Sequence, residues 1–266
     1  MTSMTEQAAE AAIGAAATAL RLPTVRAEAL KLADDAGRAG LTHRAYLAEV
    51  LSAEVDEREA RRRERRVAEA RLPRVKRLFD FDLSAAPSIN PATFAAACSL
   101  SWVDAGQPLV AVGDPGTGKT HLLIGVALAA AEAGKRSRYV TCAGLVNELA
   151  EAADERTLGR AVARYGRYEL LCCDELGYLK LDQRGAELLF QVLTEREERA
   201  SVAVASNAPF SKAHRFARTC ARCCLKRTGG LLLEGEAPSV DVVGEVVDEA
   251  LWLHAEGVAR HPGAQD

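Results

Sequence analysis

Gly113-Asp114-Pro115-Gly116-Thr117-Gly118-Lys119-Thr120 is the stretch on which the fold turns. It matches the phosphate-loop pattern G-x-x-x-x-G-K-[ST]. The short apolar run Leu109 to Val112 precedes it, and a helical run from Lys119 to Ala133 follows. The glycines let the backbone curl so that successive N–H groups point into one concavity, a nest for phosphate oxygens. The positive end of the helix adds to that attraction. Lys119 brings a point charge to the β- and γ-phosphates, and the Thr120 hydroxyl is a hard oxygen ligand for Mg²⁺. The expected cofactors are therefore ATP and Mg²⁺.

Downstream of this loop, strands and helices alternate. Arg138 to Cys142 reads as a second strand, Tyr168 to Cys173 as a third and Ser201 to Ala205 as a fourth, with a long helix from Asp182 to about Arg199. That alternation predicts an α/β domain, a mostly parallel sheet covered by helices on both faces. The third strand ends in Asp174-Glu175. Asp174 is expected to hold Mg²⁺ through water, and Glu175 to orient and deprotonate the attacking water. Paired carboxylates of this kind favour a hydrolase over a kinase. Ser206-Asn207 follows the fourth strand. If that strand lies between the other two, Asn207 reaches the γ-phosphate or the lytic water. The catalytic set is then Lys119, Glu175 and Asn207, with Thr120 and Asp174 as the metal ligands.

Upstream, residues 20 to 71 carry helical spacing: Leu41, Tyr46, Leu47, Val50, Leu51 and Val55 recur at three- and four-residue steps. Thr42 is placed to cap the second helix. The apolar stripe then fades, and the stretch from Arg58 to Arg77 holds ten Lys/Arg against three acidic residues. A solvated helix laced with i,i+4 ion pairs is one reading of it. Contact with the DNA backbone through Arg58, Arg61, Arg62, Arg63, Arg65 and Arg66 is the other, insensitive to base sequence and strongly dependent on salt. Pro73 ends the helix. A short apolar helix is expected from Pro91 to Val103. The organisation expected is a helical N-terminal domain over 1–71, a connecting segment over 72–107, the ATPase core over 108–211 and an atypical tail over 212–266.

The chain of 266 residues has a net charge of −3 and an apolar content of 48%, the composition of a globular domain rather than a membrane protein. The start is Ala-rich but carries Glu6 and Glu10 and has no basic leader. A cytoplasmic protein is expected. Seven cysteines, an odd number, argue against a disulfide framework. Cys220, Cys223 and Cys224 with His214 lack the second ligand pair that structural zinc needs.

At these residues the chain resembles the IstB-type helper ATPases of bacterial transposons, relatives of the DnaC helicase loader. The likeness runs from about residue 20 to 211. It is carried by Leu22-Pro23-Thr24-Val25-Arg26, by Arg71-Leu72-Pro73-Arg74 with Phe79-Asp80-Phe81, and by Gly116-Thr117-Gly118-Lys119-Thr120-His121-Leu122. Asp174-Glu175-Leu176-Gly177-Tyr178-Leu179, Gly185-Ala186-Glu187-Leu188-Leu189-Phe190-Gln191 and Ser206-Asn207 complete it. The resemblance implies an AAA+ fold and extends the nucleotide-binding set from Gly113 through His121. It implies an ATP-dependent homo-oligomer on double-stranded DNA that activates a transposase; a replicative helicase is the alternative partner. It also sets Phe79 and Phe81 near the nucleotide base.

The likeness is lost after Pro209-Phe210-Ser211. The family's arginine that reaches a neighbouring subunit's γ-phosphate has no aligned equivalent, and a reading frame altered near residue 212 would explain the Cys/Arg-rich sequence there. Arg218, Arg222 and Arg227 are the candidates to replace it, and Gly229-Gly230-Leu231-Leu232-Leu233 is a candidate fifth strand. A non-hydrolysing ATP- and DNA-binding relic is the reading that follows if no such arginine exists.

Overall fold

The computed structural model describes residues 5–86, 89–176, 183–196, 199–207 and 231–235. Its contacts divide the chain into two units, Met1–Arg65 and Arg66–Asp266. The expected arginine candidates in the tail and its cysteine cluster lie outside the described residues.

The first unit consists of α1 (Glu6–Ala19), α2 (Pro23–Ala39) and most of α3 (His43–Ala70). Helix α1 begins well before the helical spacing does, because its Ala-rich sequence has little periodicity to read. Pro23 occupies the first turn of α2, where its missing N–H is not needed, and Gly40 closes the helix at φ 64°, a left-handed conformation glycine adopts at no steric cost. Leu22, at the cap position of α2, has no side-chain acceptor to offer. Glu54 of α3 supplies it instead: its Oε2 accepts from Thr24 N at 2.8 Å and Val25 N at 3.0 Å. Arg58 holds that carboxylate through Nε at 2.8 Å and also donates to the Arg21 carbonyl. The expected Thr42 cap is present, accepting from Ala45 N at 3.2 Å.

The second unit is built on a five-stranded parallel sheet in the order β2-β3-β4-β1-β5, formed by β1 (Leu109–Gly113), β2 (Ser137–Thr141), β3 (Leu170–Asp174), β4 (Ser201–Ser206) and β5 (Leu231–Gly235). Alternation along each strand sorts the side chains onto two faces. Leu170, Cys172, Ala203 and Ala205 pack with Leu123, Ile124 and Ala127 of α6 (Lys119–Glu132). Leu171, Cys173, Val202 and Val204 face α7 (Cys142–Asp154), α8 (Leu158–Gly166) and α9 (Gln183–Arg196). Leu123 and Ile124 are fully buried, which contributes roughly 2 kcal/mol each. The α/β sheet flanked by helices is thus as expected, and β5 pairs with β1, Leu231 opposite Leu109.

Two boundaries differ from the sequence reading. Cys142 starts α7 rather than ending β2, because Thr141 caps that helix by accepting from Gly144 N at 3.1 Å. The helix expected from Pro91 to Val103 is two, α4 (Pro91–Ser99) and α5 (Ser101–Asp104). Leu100 stands between them at φ 58°, and the turn lets buried Trp102 donate its indole N–H back to Ala97 O at 3.1 Å. These helices, with Leu78, Phe81 and Ile89, pack on the α6 face. Among the described residues no helix is long and apolar enough to cross a membrane.

Candidate nucleotide-binding site

The strand order brings the motif-bearing ends together. Gly113 ends β1, Asp174 ends β3, and β4 between them leads into Asn207, which is half-buried in a bend. The expectation that the fourth strand would lie between the other two is met: β4 pairs with β1 through Val112 and Ser206, and with β3 through Cys173 and Val204. Thr120 and His121 lie in the first turn of α6, immediately after Lys119.

The phosphate loop has the backbone its sequence demands. Gly116 and Gly118 sit at φ 91° and 86°, where a side chain would be strained. Thr117 donates its hydroxyl to Asp114 O at 2.9 Å, closing the turn. The Lys119 ammonium is folded onto the same loop, 2.6 Å from Asp114 O and 3.2 Å from Thr117 Oγ1. Burial lowers the Lys119 pKa from the ordinary lysine value, and the nearby charges of Asp174 and Asp114 partly offset this.

Asp174 is almost fully buried, and both carboxylate oxygens are held. Tyr139 of β2 donates its hydroxyl to Oδ2 at 2.7 Å, and Glu175 donates its backbone N–H to Oδ1 at 2.8 Å. Burial first, and then the Asp174 carboxylate, pushes the Tyr139 phenol far above the usual tyrosine range, so it remains a donor. Glu175 itself is exposed and holds φ 64°, a left-handed conformation costing a non-glycine residue about 1 kcal/mol. Strain of this kind clusters at functional sites. Tyr139 has no motif to announce it; only its place opposite Cys172 in the sheet register connects it to Asp174.

Beside the loop lies a recess walled by Phe81, Ile89, Val112, Gly118 and Leu122. Phe81 packs tilted against Phe94, with ring centroids 5.1 Å apart, and edge-on against His121 at 5.4 Å. His121 Nε2 is 3.0 Å from the Arg77 carbonyl, which can only accept, so that nitrogen carries the proton. Phe79 points elsewhere: it is 81% exposed, with the Arg77 guanidinium 5.9 Å from its ring centre.

The arginines of α3 are a distinct set. Arg58 is paired with buried Glu54, Arg61 with Glu57, Arg63 with Glu59 and Arg66 with Glu69. Arg62 and Arg65 are exposed and form no salt bridge among the described residues. The ion-pair lacing expected of a solvated helix is therefore present, and among the six arginines between Arg58 and Arg66 it leaves two guanidinium groups out. Among the described residues no group of three or more His, Cys, Asp or Glu side chains could hold a metal.

Comparison with known proteins bears on this site. The sequence family described as IstB-like ATP binding protein matches residues 15–221. A Sinorhizobium fredii protein described as an insertion sequence ATP-binding protein is 35% identical over 207 residues, covering 77% of this chain and 70% of its own length. A Pseudomonas aeruginosa protein described as the ATP-binding protein of insertion sequence IS21 is 33% identical over 180 residues, 68% of each chain. Among solved structures, AMPPCP-bound DnaA from Aquifex aeolicus superposes with a TM-score of 0.53 at 19% identity, over 74% of this chain and 58% of that one. A replication initiator DnaA bound to AMPPCP and single-stranded DNA gives the same TM-score, 0.53, at 20% identity, over 70% of this chain and 57% of that one. This chain thus spans less than two thirds of either DnaA chain, and the likeness is one of fold, the AAA+ arrangement.

Proposed function

This chain belongs to the IstB-like ATP binding protein family, and from that premise we propose that it is a MgATP-hydrolysing helper of insertion-sequence transposition. On this reading it assembles on double-stranded DNA and activates a transposase. The observation that carries the reading is the strand order β3-β4-β1, which sets Asp174, Asn207 and the phosphate loop side by side at the carboxyl ends of the three central strands.

The donors present suit Mg²⁺. Thr120 offers a hydroxyl and Asp174 a carboxylate, both hard oxygens, and the two hydrogen-bond donors on Asp174 are neutral, so its charge is not cancelled by them. Bound there, Mg²⁺ would draw charge from the β- and γ-phosphates. Lys119 leaves Asp114 O and Thr117 to take a γ-phosphate oxygen, and the loop N–H groups hold the β-phosphate. Glu175, exposed at the end of β3, takes the proton of the attacking water while Asn207 orients it.

The deciding experiment is ATP turnover by the purified chain, with and without duplex DNA, over a range of protein concentrations. Turnover that rises with DNA and with concentration supports an assembly whose neighbouring subunits complete the site. Lys119→Ala is expected to abolish nucleotide binding, and unchanged ATP affinity in that variant would overturn the central claim. ATP binding with no turnover under any condition would instead leave an ATP-binding protein without hydrolysis.

A further inference from the structure

We propose that Tyr139 is a positioning residue for the Asp174 carboxylate, its hydroxyl fixing the orientation in which Asp174 receives Mg²⁺. The inference rests on the reading of Asp174 as a metal ligand given above. Its ground is a juxtaposition created by the sheet. Tyr139 is opposite Cys172 in the β2–β3 register, and Asp174 lies two residues further along β3, on the same face. With strands about 4.8 Å apart and a rise of about 3.3 Å per residue, such diagonal neighbours stand about 8 Å apart at the backbone, within reach of a tyrosine side chain.

The contacts make this more than proximity. The hydroxyl is 2.7 Å from Oδ2 and the Glu175 N–H 2.8 Å from Oδ1, so rotation of the carboxylate about its Cβ–Cγ bond breaks both hydrogen bonds. Each oxygen keeps a further lone pair for a cation or its water. A lysine or arginine could hold the carboxylate equally well, but its charge would compete with the metal; the phenol holds it without a charge. The ring is anchored in turn. Tyr139 is 9% exposed and belongs to the cluster that includes Ala127, Leu170 and Cys172, beneath the helix that opens with Lys119. The Ser137 hydroxyl, two residues earlier on β2, donates to Ala127 O at 2.7 Å and ties the strand to that same helix. Groups that orient a metal ligand in this manner commonly change metal affinity 10- to 100-fold when removed.

The test is equilibrium binding of a fluorescent ATP analogue to the full chain, first in EDTA and then across a Mg²⁺ titration. Tyr139→Phe, which keeps the ring, is expected to bind the metal-free nucleotide within about twofold of the parent while its Mg²⁺ midpoint rises about tenfold. An unshifted midpoint, or a lower one, overturns the proposal. Asp174→Asn in the same assay separates the two claims. If it shifts the midpoint and Tyr139→Phe does not, only the role of Tyr139 falls; if it does not shift it either, the metal reading of Asp174 falls first. Should Tyr139→Phe fail to fold, 3-fluorotyrosine at position 139 retains the hydroxyl and supplies a ¹⁹F resonance. That resonance is expected to move when Mg²⁺ is added to the nucleotide-bound chain and to stay still in Asp174→Asn. A resonance indifferent to Mg²⁺ in the parent chain overturns the proposal.

Discussion

The ring of Phe81 leans on Gly118 so closely that a Cβ at that glycine would stand 2.8 Å from Cε2 of the phenyl group. Gly118 is therefore fixed twice, by its φ of 86° and by an aromatic neighbour some forty residues upstream. Gly118→Ala adds left-handed strain of about 1 kcal/mol to this clash. Nucleotide affinity is expected to fall at least tenfold while the chain remains folded. Phe81→Ala in the same chain removes the clash but not the strain, so a calorimetric titration of the double variant should recover only part of the loss. Full recovery would show that the backbone conformation at Gly118 does not matter.

Glu175→Gln keeps the size and the N–H donor to Asp174 while removing the base. Nucleotide binding is expected to stay within twofold and turnover to fall by about 10²–10⁴-fold. A stopped assay with radiolabelled ATP reads both, and residual turnover above a tenth of the parent would exclude Glu175 as the general base.

Glu54 lends the helical unit a pH dependence. Burial opposes its ionisation, but the N–H groups of Val25 and Thr24 and the Arg58 guanidinium outweigh that and lower its pKa below the usual 4.5. A carboxylate depressed in the folded state stabilises above its unfolded pKa and loses that contribution as pH falls through the folded value. The parent should therefore lose stability below about pH 4.5 relative to Glu54→Gln, which should be less stable by roughly 1 kcal/mol at pH 7. Helical ellipticity followed on heating at pH 4 and pH 7 measures the difference; equal behaviour of the two chains at both would remove Glu54 as the cap of α2.

The six arginines of α3 between Arg58 and Arg66 are expected to separate by role. Arg62→Ala with Arg65→Ala should weaken binding to duplex DNA at every sequence tested and reduce the slope of log affinity against log salt by about two. Arg58→Ala should instead lower the melting temperature of the helical unit, because it strips a partner from buried Glu54. Fluorescence anisotropy at 50 and 200 mM salt distinguishes them. Unaltered affinity of the double variant at the lower salt would make this face merely solvated.

The parts of the fold that the sequence disclosed are those tied to a local rule. A glycine-rich turn between an apolar strand and a helix has one backbone solution, and an apolar strand ending in Asp-Glu has few. Even β5, read from Leu231 to Leu233, was visible as an apolar run after two glycines. What escaped depends on partners far along the chain. Arg196 sits in a charged stretch that looks solvated, yet it is 1% exposed and donates to Tyr165 O at 2.5 Å and Ser201 O at 2.6 Å. In helix α8, Leu158, Ala161, Val162 and Tyr165 recur at helical steps, but nine residues are too few for that spacing to stand out. Tyr139 is an unremarkable strand residue until the register with β3 is known. Glu54 caps a helix thirty residues before it, and no local pattern reports that.

The ordering β3-β4-β1 makes the sheet a gauge. Two strand spacings of about 4.8 Å separate the phosphate loop's strand from the carboxylate's strand, and backbone hydrogen bonds set that interval. Exchanging Val202, Ala203 or Val204 for other apolar residues changes how firmly the gauge is held without changing what it reads. Removing one residue from β4 is a different injury. It would turn Ser206 and Asn207 to the opposite face while every residue of the loop and of β3 stayed in place. The interval between the loop and the carboxylate is thus set by a strand that supplies neither of them.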